Sequence, residues 1–225
     1  MGTDTAETSL VDRFRRDIVD GVYNPRERLV EAELATRYGV NRSAMRAALL
    51  ELTSEGLVER EPKRGARVRA LTVEDGIEIA QVRRELESLC ARLAAERATD
   101  EEREQLGEIV AELCDAYTSR DMSRYLHDNA VFHTTIHNMA RHQVARDILT
   151  RLGNLNFNLH FPMAFNAPVP AASNEEHRQI AEAIVRGDGD AAAGAMYAHL
   201  ENTIVALEAL GAPGQRPAAA AGFAA

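Results

Sequence analysis

Apolar positions recur at helical spacing along most of the chain, and one stretch departs from it. Ala32, Leu34, Ala35 and Tyr38 form one stripe and predict a short helix. Gly39 follows, where a helix ends readily with positive φ. Val40 is an apolar plug between two helices, and Asn41 is a good N-cap for the second. In that second helix Met45, Leu49 and Leu52 repeat at i, i+4, i+7 and predict a core face. Arg42, Ser43 and Arg46 fall on the opposite side of its first turns. The helical pattern runs out at Ser54-Glu55-Gly56. Leu57-Val58 open a strand, Lys63-Arg64-Gly65 make a basic turn, and Arg67-Val68-Arg69 return as a second strand.

From Glu74 the pattern is helical again, with Ile77, Leu86, Leu89, Cys90 and Leu93 assigned to one face. Thr99 and Asp100 cap a second helix that runs to about Thr118. A third spans about Ser123 to Arg141 and a fourth about Gln143 to His160. Pro162, Pro168 and Pro170 interrupt the chain. A fifth helix covers about Asn174 to Arg186, Gly187-Asp188-Gly189-Asp190 turns, and a sixth ends near Leu210. The remainder, GAPGQRPAAAAGFAA, has the composition of a disordered tail. The division predicted is residues 8–70, residues 74–210 and a tail of residues 211–225.

Charge separates the first two segments further. The 225-residue chain is 45% hydrophobic and carries a net charge of −9. Residues 37–69 nevertheless hold eight Arg or Lys against four Glu, a local net of +4. A positive face on an acidic protein suits phosphate binding, whereas residues 71–225, at net −10, are repelled by nucleic acid. The two cysteines, Cys90 and Cys114, sit in apolar helical patterns and read as reduced, buried packing residues. Neither a hydrophobic leader nor a run of membrane-spanning length is visible, so a cytoplasmic, soluble protein with no membrane partner is expected.

The order helix, tight turn, helix, basic hairpin is the winged helix-turn-helix plan, in which the second helix enters the major groove of duplex DNA. The stretches IVDGVYNPRERLVEAELA, YGVNRSAMRAALLELTSEGLV and KRGARV resemble the winged-helix domain of GntR-type bacterial transcription regulators. The resemblance implies that Arg42, Ser43, Arg46 and the wing at Arg64-Gly65 contact operator DNA, with Arg37 as a backbone contact. Asn41 stands where the family usually has Ser or Thr, and Arg26 where it usually has Gly after the proline. Asn still caps the helix, so the departure bears on operator preference rather than on the fold.

Four polar residues stand out among the later helices: Asn129, His133, His177 and His199. Asn129 and His133 are four apart and share a helical face. His177 lies eleven residues before Asp188 and His199 eleven after it. An antiparallel hairpin about that turn brings the two imidazoles to one height. Three imidazoles and an oxygen suit a divalent transition metal with open positions, whether zinc, nickel or manganese.

VRRELESLCARLAAERAT, NAVFHTTI and EEHRQIAEAIVRGDGDAAAGAMYAHL resemble the FCD ligand-binding domain of the FadR branch of the same regulators, in its six-helix, VanR-like form. Asn129 replaces the family's usual Asp, a weaker ligand, and His137 stands four residues past His133 on the same face. The resemblance implies a homodimer and a metal that anchors a small carboxylate effector, with Arg83 pointing into the cavity. Asn154 and Asn158, on one face of the fourth helix, stand where the family often has Arg and are the other effector-binding candidates.

The fold class expected is mainly α, a winged helix-turn-helix followed by an all-helical bundle. The function expected is a ligand-responsive transcriptional regulator acting as a repressor, and not an enzyme. Two alternatives are weighed against it. A three-histidine site can activate water in an enzyme, but no H-E-x-x-H helix, nucleophile motif or paired acid and base accompanies it. An architectural DNA binder would take neither metal nor effector.

Overall fold

The computed structural model describes residues 9–61, 65–155 and 171–211. These residues fall into two compact units that divide at Thr72/Val73, with Arg151–Leu155 grouped with the first. The tail expected after residue 210 and the proline-bearing stretch lie outside the described residues, apart from Gly211.

The first unit contains helices α1 (Leu10–Val19), α2 (Glu31–Tyr38) and α3 (Arg42–Ser54). Its strands are β1 (Arg28–Leu29), β2 (Val58–Glu61) and β3 (Gly65–Val68), in the antiparallel order β1-β3-β2. Val58 faces Val68 and Arg60 faces Ala66, while Arg28 of β1 faces Arg67. The third strand is absent from the sequence reading because two residues are too few to show any alternation. The predicted stripes are the core: Leu34, Ala35 and Tyr38 of α2 and Met45, Leu49 and Leu52 of α3 are buried. They surround Phe14, whose ring packs on Tyr23 and Tyr38 at 5.3 and 5.2 Å. Gly39 has φ 68° and its N–H caps α2. A side chain with a Cβ is strained in that conformation. Asn41 Oδ1 accepts the Ala44 N–H at 2.8 Å, which starts α3 as the sequence predicts.

The second unit is helical. Its helices are α4 (Val73–Arg97), α5 (Asp100–Thr118), α6 (Met122–Met139), α7 (Gln143–Asn154, whose last turn from Arg151 is the part grouped with the first unit), α8 (Ala171–Val185) and α9 (Gly189–Gly211). Thr99 and Glu102 form a capping box at the start of α5. His142 caps α7, its Nδ1 accepting the Ala145 N–H at 3.2 Å.

The buried face of α4 differs from the one assigned from the sequence. Leu89 is 37% exposed, and the buried positions are mainly Ala80, Glu87, Cys90, Ala91, Ala94 and Ala95. α4 runs against α9, and small side chains on the shared face let the two backbones approach closely. Large aliphatic residues therefore mark the flank of this helix rather than its centre. Cys90 is buried, but Cys114 is only half-buried, less enclosed than its pattern implies. No helix among the described residues is long and apolar enough to cross a membrane.

Candidate metal centre and nucleic-acid interface

The α8–α9 hairpin closes as its spacing requires. Gly187 takes φ 73°, and Asp188 Oδ1 accepts the Ala191 N–H at 3.0 Å to start α9. The rings of His177 and His199 come to 4.5 Å between centroids. α6 brings His133 against both, at 5.7 Å from His177 and 5.5 Å from His199. One nitrogen from each of the three lies within 4.8 Å of the other two, and all three residues are buried. The edge of Phe132 covers His177 at 5.1 Å between rings.

Two carboxylates absent from the sequence reading orient this group. Glu87, fully buried on α4, lies 2.6 Å from His133 Nδ1. Glu176 on α8 lies 2.8 Å from His199 Nδ1 and also accepts Asn202 Nδ2 at 2.6 Å. An ionised carboxylate only accepts, so each Nδ1 donates, and in the neutral ring Nε2 is the nitrogen left to take a metal. This is the carboxylate–histidine arrangement that fixes the tautomer of a metal ligand. Both carboxylates are held ionised. Burial pushes Glu87 up, but Arg83 and the histidines outweigh it and leave the group well below the usual carboxylate range. The hydrogen bond from His199 lowers Glu176 against its burial.

His177 is different: among the described residues neither Nδ1 nor Nε2 has a hydrogen-bond partner, and both are buried. Burial, with His199 and His133 nearby, pushes its pKa down to about 2, so the ring is neutral at physiological pH. A buried unsatisfied polar atom costs about 1–3 kcal/mol. An ion that takes a lone pair from one of these nitrogens relieves that cost. The donor set therefore fits a divalent transition metal.

A second grouping, Glu87, His133 and His137, shares His133 with the first. His137 Nε2 is 3.5 Å from Glu87, and Arg83 Nε donates to the same carboxylate at 2.7 Å. With that charge already matched by a guanidinium, the grouping braces the histidine seat. Arg83, expected to point at an effector, is thus engaged by Glu87. Asn129 is half-buried one turn before His133 on α6. Its neighbour Asp128 is buried, but about 140° round the helix from His133, beside Arg124 at 3.4 Å. Asn154 ends α7, and Asn158 lies outside the described residues.

In the first unit, Asn41, Arg42, Ser43 and Arg46 are exposed together on the first turns of α3, where free backbone N–H groups favour an anion. The oxygen of Asn41 is committed to its cap. Arg37 is exposed on α2, with its guanidinium 4.9 Å over the Tyr23 ring. Gly65 is exposed at the start of β3, and Arg64 lies outside the described residues. Arg46 Nε donates to both oxygens of Glu31, at 3.1 and 3.0 Å, and its Nη2 donates to one of them at 2.7 Å.

Comparison with known proteins places both units. Residues 7–68 match the bacterial regulatory proteins of the gntR family, and residues 78–202 match the FCD domain. The chain is 26% identical over 195 residues to the HTH-type transcriptional regulator YdhC of Bacillus subtilis, covering 85% of this chain and 86% of that protein. It is 27% identical over 188 residues to the HTH-type transcriptional repressor RspR of Escherichia coli, covering 84% and 82%. Among solved structures, E. coli McbR/YncC superposes with a TM-score of 0.74 at 22% identity, over 90% of this chain and 96% of that one. A GntR regulator from Rhodococcus sp. RHA1 gives 0.70 at 24%, over 89% and 96%. A winged helix whose recognition helix presents arginines, followed by a helical unit with a buried histidine seat, therefore belongs to the GntR family of bacterial transcriptional regulators, in the branch that carries an FCD domain.

Proposed function

We propose that this regulator represses transcription from an operator that it grips as a homodimer in the cytoplasm. In this reading a small carboxylate effector, bound at a metal in the helical unit, controls the grip. Residues 8–70 read the duplex and residues 74–210 sense the effector and pair the chains. A two-fold protein suits paired half-sites. The likeness to RspR, named a repressor, supports the direction of control.

The observation that carries the sensing half is His177. Its two nitrogens are buried without partners between His133 and His199, whose own Nδ1 atoms are held by Glu87 and Glu176. His133, His177 and His199 hold the metal, with Asn129 as an oxygen donor from the same face as His133. Zinc, nickel and manganese all suit this set. When bound, the ion supplies a Lewis-acidic anchor for a carboxylate. The chain's own residues support it: Glu87 and Glu176 fix the imidazoles and Phe132 shields His177. Arg83, Asn154 and Asn158 are the effector-binding candidates that the family resemblance implies. Arg42, Ser43, Arg46 and Gly65, with Arg37, Asn41 and Arg64, supply the DNA contacts.

Native mass spectrometry of the full chain, purified without chelator, tests the sensing half. A dimer with one metal per chain, lost in the His177→Ala/His199→Ala variant, is the expected result. A metal-free dimer that also refuses added zinc, nickel and manganese overturns it.

A further inference from the structure

Glu31 ties together three parts of the DNA-binding unit. It is the first residue of α2. Its carboxylate holds Arg46 of α3 through three hydrogen bonds. It also lies 3.8 Å from Arg60 Nη2 on β2, the strand that leads into the wing. Arg42, at the start of α3, adds to the positive surroundings. The hydrogen bonds from Arg46, outweighing a small cost of burial, hold Glu31 below the usual carboxylate range, so it is charged whenever DNA is bound. Arg46 remains 60% exposed despite this pairing, while Glu31 is 27% exposed. The carboxylate therefore sits behind the guanidinium rather than over it.

Geometry decides what this pairing does. A guanidinium has five N–H groups in a rigid fork. Glu31 takes Nε and one N–H of Nη2, and so fixes both the plane and the roll of the group. The edge left over is the one formed by Nη1 and the second N–H of Nη2. That edge is the two-pronged donor that matches O6 and N7 of a guanine in the major groove. An unbraced arginine on an exposed helix face would find the nearest phosphate instead, since phosphates attract it without regard to sequence.

We infer that Glu31 is a positioning residue for sequence readout: it holds Arg46 with its free edge toward the bases, keeps Arg60 beside it, and so trades non-specific grip for specificity. This rests on the reading of Arg46 as an operator contact.

The test compares the full-length wild type with Glu31→Gln, Glu31→Asp and Arg46→Ala. The probes are a duplex selected by the wild type from a random library and an unrelated duplex of equal length. Affinity is measured across a salt series. Glu31→Gln is expected to bind the selected duplex about tenfold more weakly, with the unrelated duplex unchanged or tighter. Its salt dependence should steepen by about one phosphate contact. Reselection should relax the same base positions for Glu31→Gln and Arg46→Ala. Glu31→Asp keeps the charge but is one methylene too short to brace Arg46, and it too should lose specificity.

A parallel shift on both duplexes overturns the inference, because that is the mark of simple charge masking or of damaged folding. So does an unchanged ratio between the duplexes. If Arg46→Ala collapses the ratio and the Glu31 variants do not, only the role of Glu31 falls. If Arg46→Ala also leaves it unchanged, or the wild type selects no sequence, the contact reading falls with it.

Discussion

At the scale of single residues, the histidine seat is built by carboxylates that carry no obvious mark as ligands. Removing the hydrogen-bonded carboxylate behind a metal-bound imidazole typically costs 10–100-fold in metal affinity. Glu176→Gln keeps the size of the side chain but replaces one acceptor oxygen with an amide donor. Zinc affinity, measured by competition with a chromogenic chelator, should fall by about that factor. Helical content by circular dichroism should stay the same, because among the described residues the hydrogen-bond partners of the Glu176 carboxylate are His199 and Asn202 and none is in the helix backbone. His177→Ala should abolish binding in the same assay. Cysteine offers a check on packing. Burial pushes the Cys90 thiol up to about 11, so in the native protein it is a neutral, enclosed thiol at pH 8. An alkylating reagent should modify Cys114 first, and Cys90 only after denaturation, as read by peptide mass.

At the scale of elements, caps and turns set where the helices of the second unit start and stop. The Thr99 N–H donates to Glu102 Oε2 at 2.9 Å, and Glu102 N–H returns to Thr99 Oγ1 at 3.3 Å. Arg141, beyond the end of α6, donates to both oxygens of the same carboxylate. The backbone hydrogen bond from Thr99 and then Arg141 hold Glu102 below its ordinary value against a partial opposing effect of burial. A carboxyl depressed in the folded state stabilises fully above its unfolded pKa, about 4.3, and loses that contribution as pH falls through the folded value. Glu102→Gln keeps a capping acceptor but loses the ion pair with Arg141, so it should destabilise by about 0.5 kcal/mol at pH 7, and the difference from wild type should shrink as pH falls below about 4. Urea denaturation at both pH values measures it. Gly187→Ala should cost about 1–2 kcal/mol, because its φ of 73° lies in the left-handed region.

These elements also show where the sequence is readable. The hairpin follows from counting residues about Asp188, because a helix converts sequence distance into height. Met45, Leu49 and Leu52 likewise identify their own core face. Glu87 is harder to find. It occupies a buried stripe with Ala80, Ala91 and Ala94, and a lone acid within a small-residue stripe was the available signal. Hydrophobicity along α4 points toward Leu89, which is 37% exposed, because larger side chains dominate any such count. The real seam with α9 needs small side chains. Burial of Asp128 rather than Asn129 depends on the helices packed around α6, which spacing along α6 alone does not reveal.

At the scale of the whole molecule, the second unit carries a built-in deficit. Among the described residues, His177 is buried with two unsatisfied nitrogens, and one nitrogen of each histidine neighbour lies within 4.8 Å of it. All three residues are enclosed by folding. A ligand that binds the folded state and not the unfolded chain stabilises by RT ln(1 + [L]/Kd), about 2.7 kcal/mol at a hundred times Kd. For a unit of this size each kcal/mol moves the melting temperature by about 2–4 °C. Saturating zinc, nickel or manganese should therefore raise the melting point of the chelator-treated protein by roughly 5–10 °C, and a chelator should reverse it. The variant lacking His177 and His199 should show no such rise. Its metal-free melting point should lie below that of the metal-free wild type, because two buried side chains are truncated and Glu176 loses its His199 partner, so the comparison is of the response to metal. A rise that persists in the variant would place the ion elsewhere in the chain. A wild type that binds metal without any rise would mean that the unfolded chain holds the ion equally well, and that the enclosed seat contributes no selectivity for the folded state.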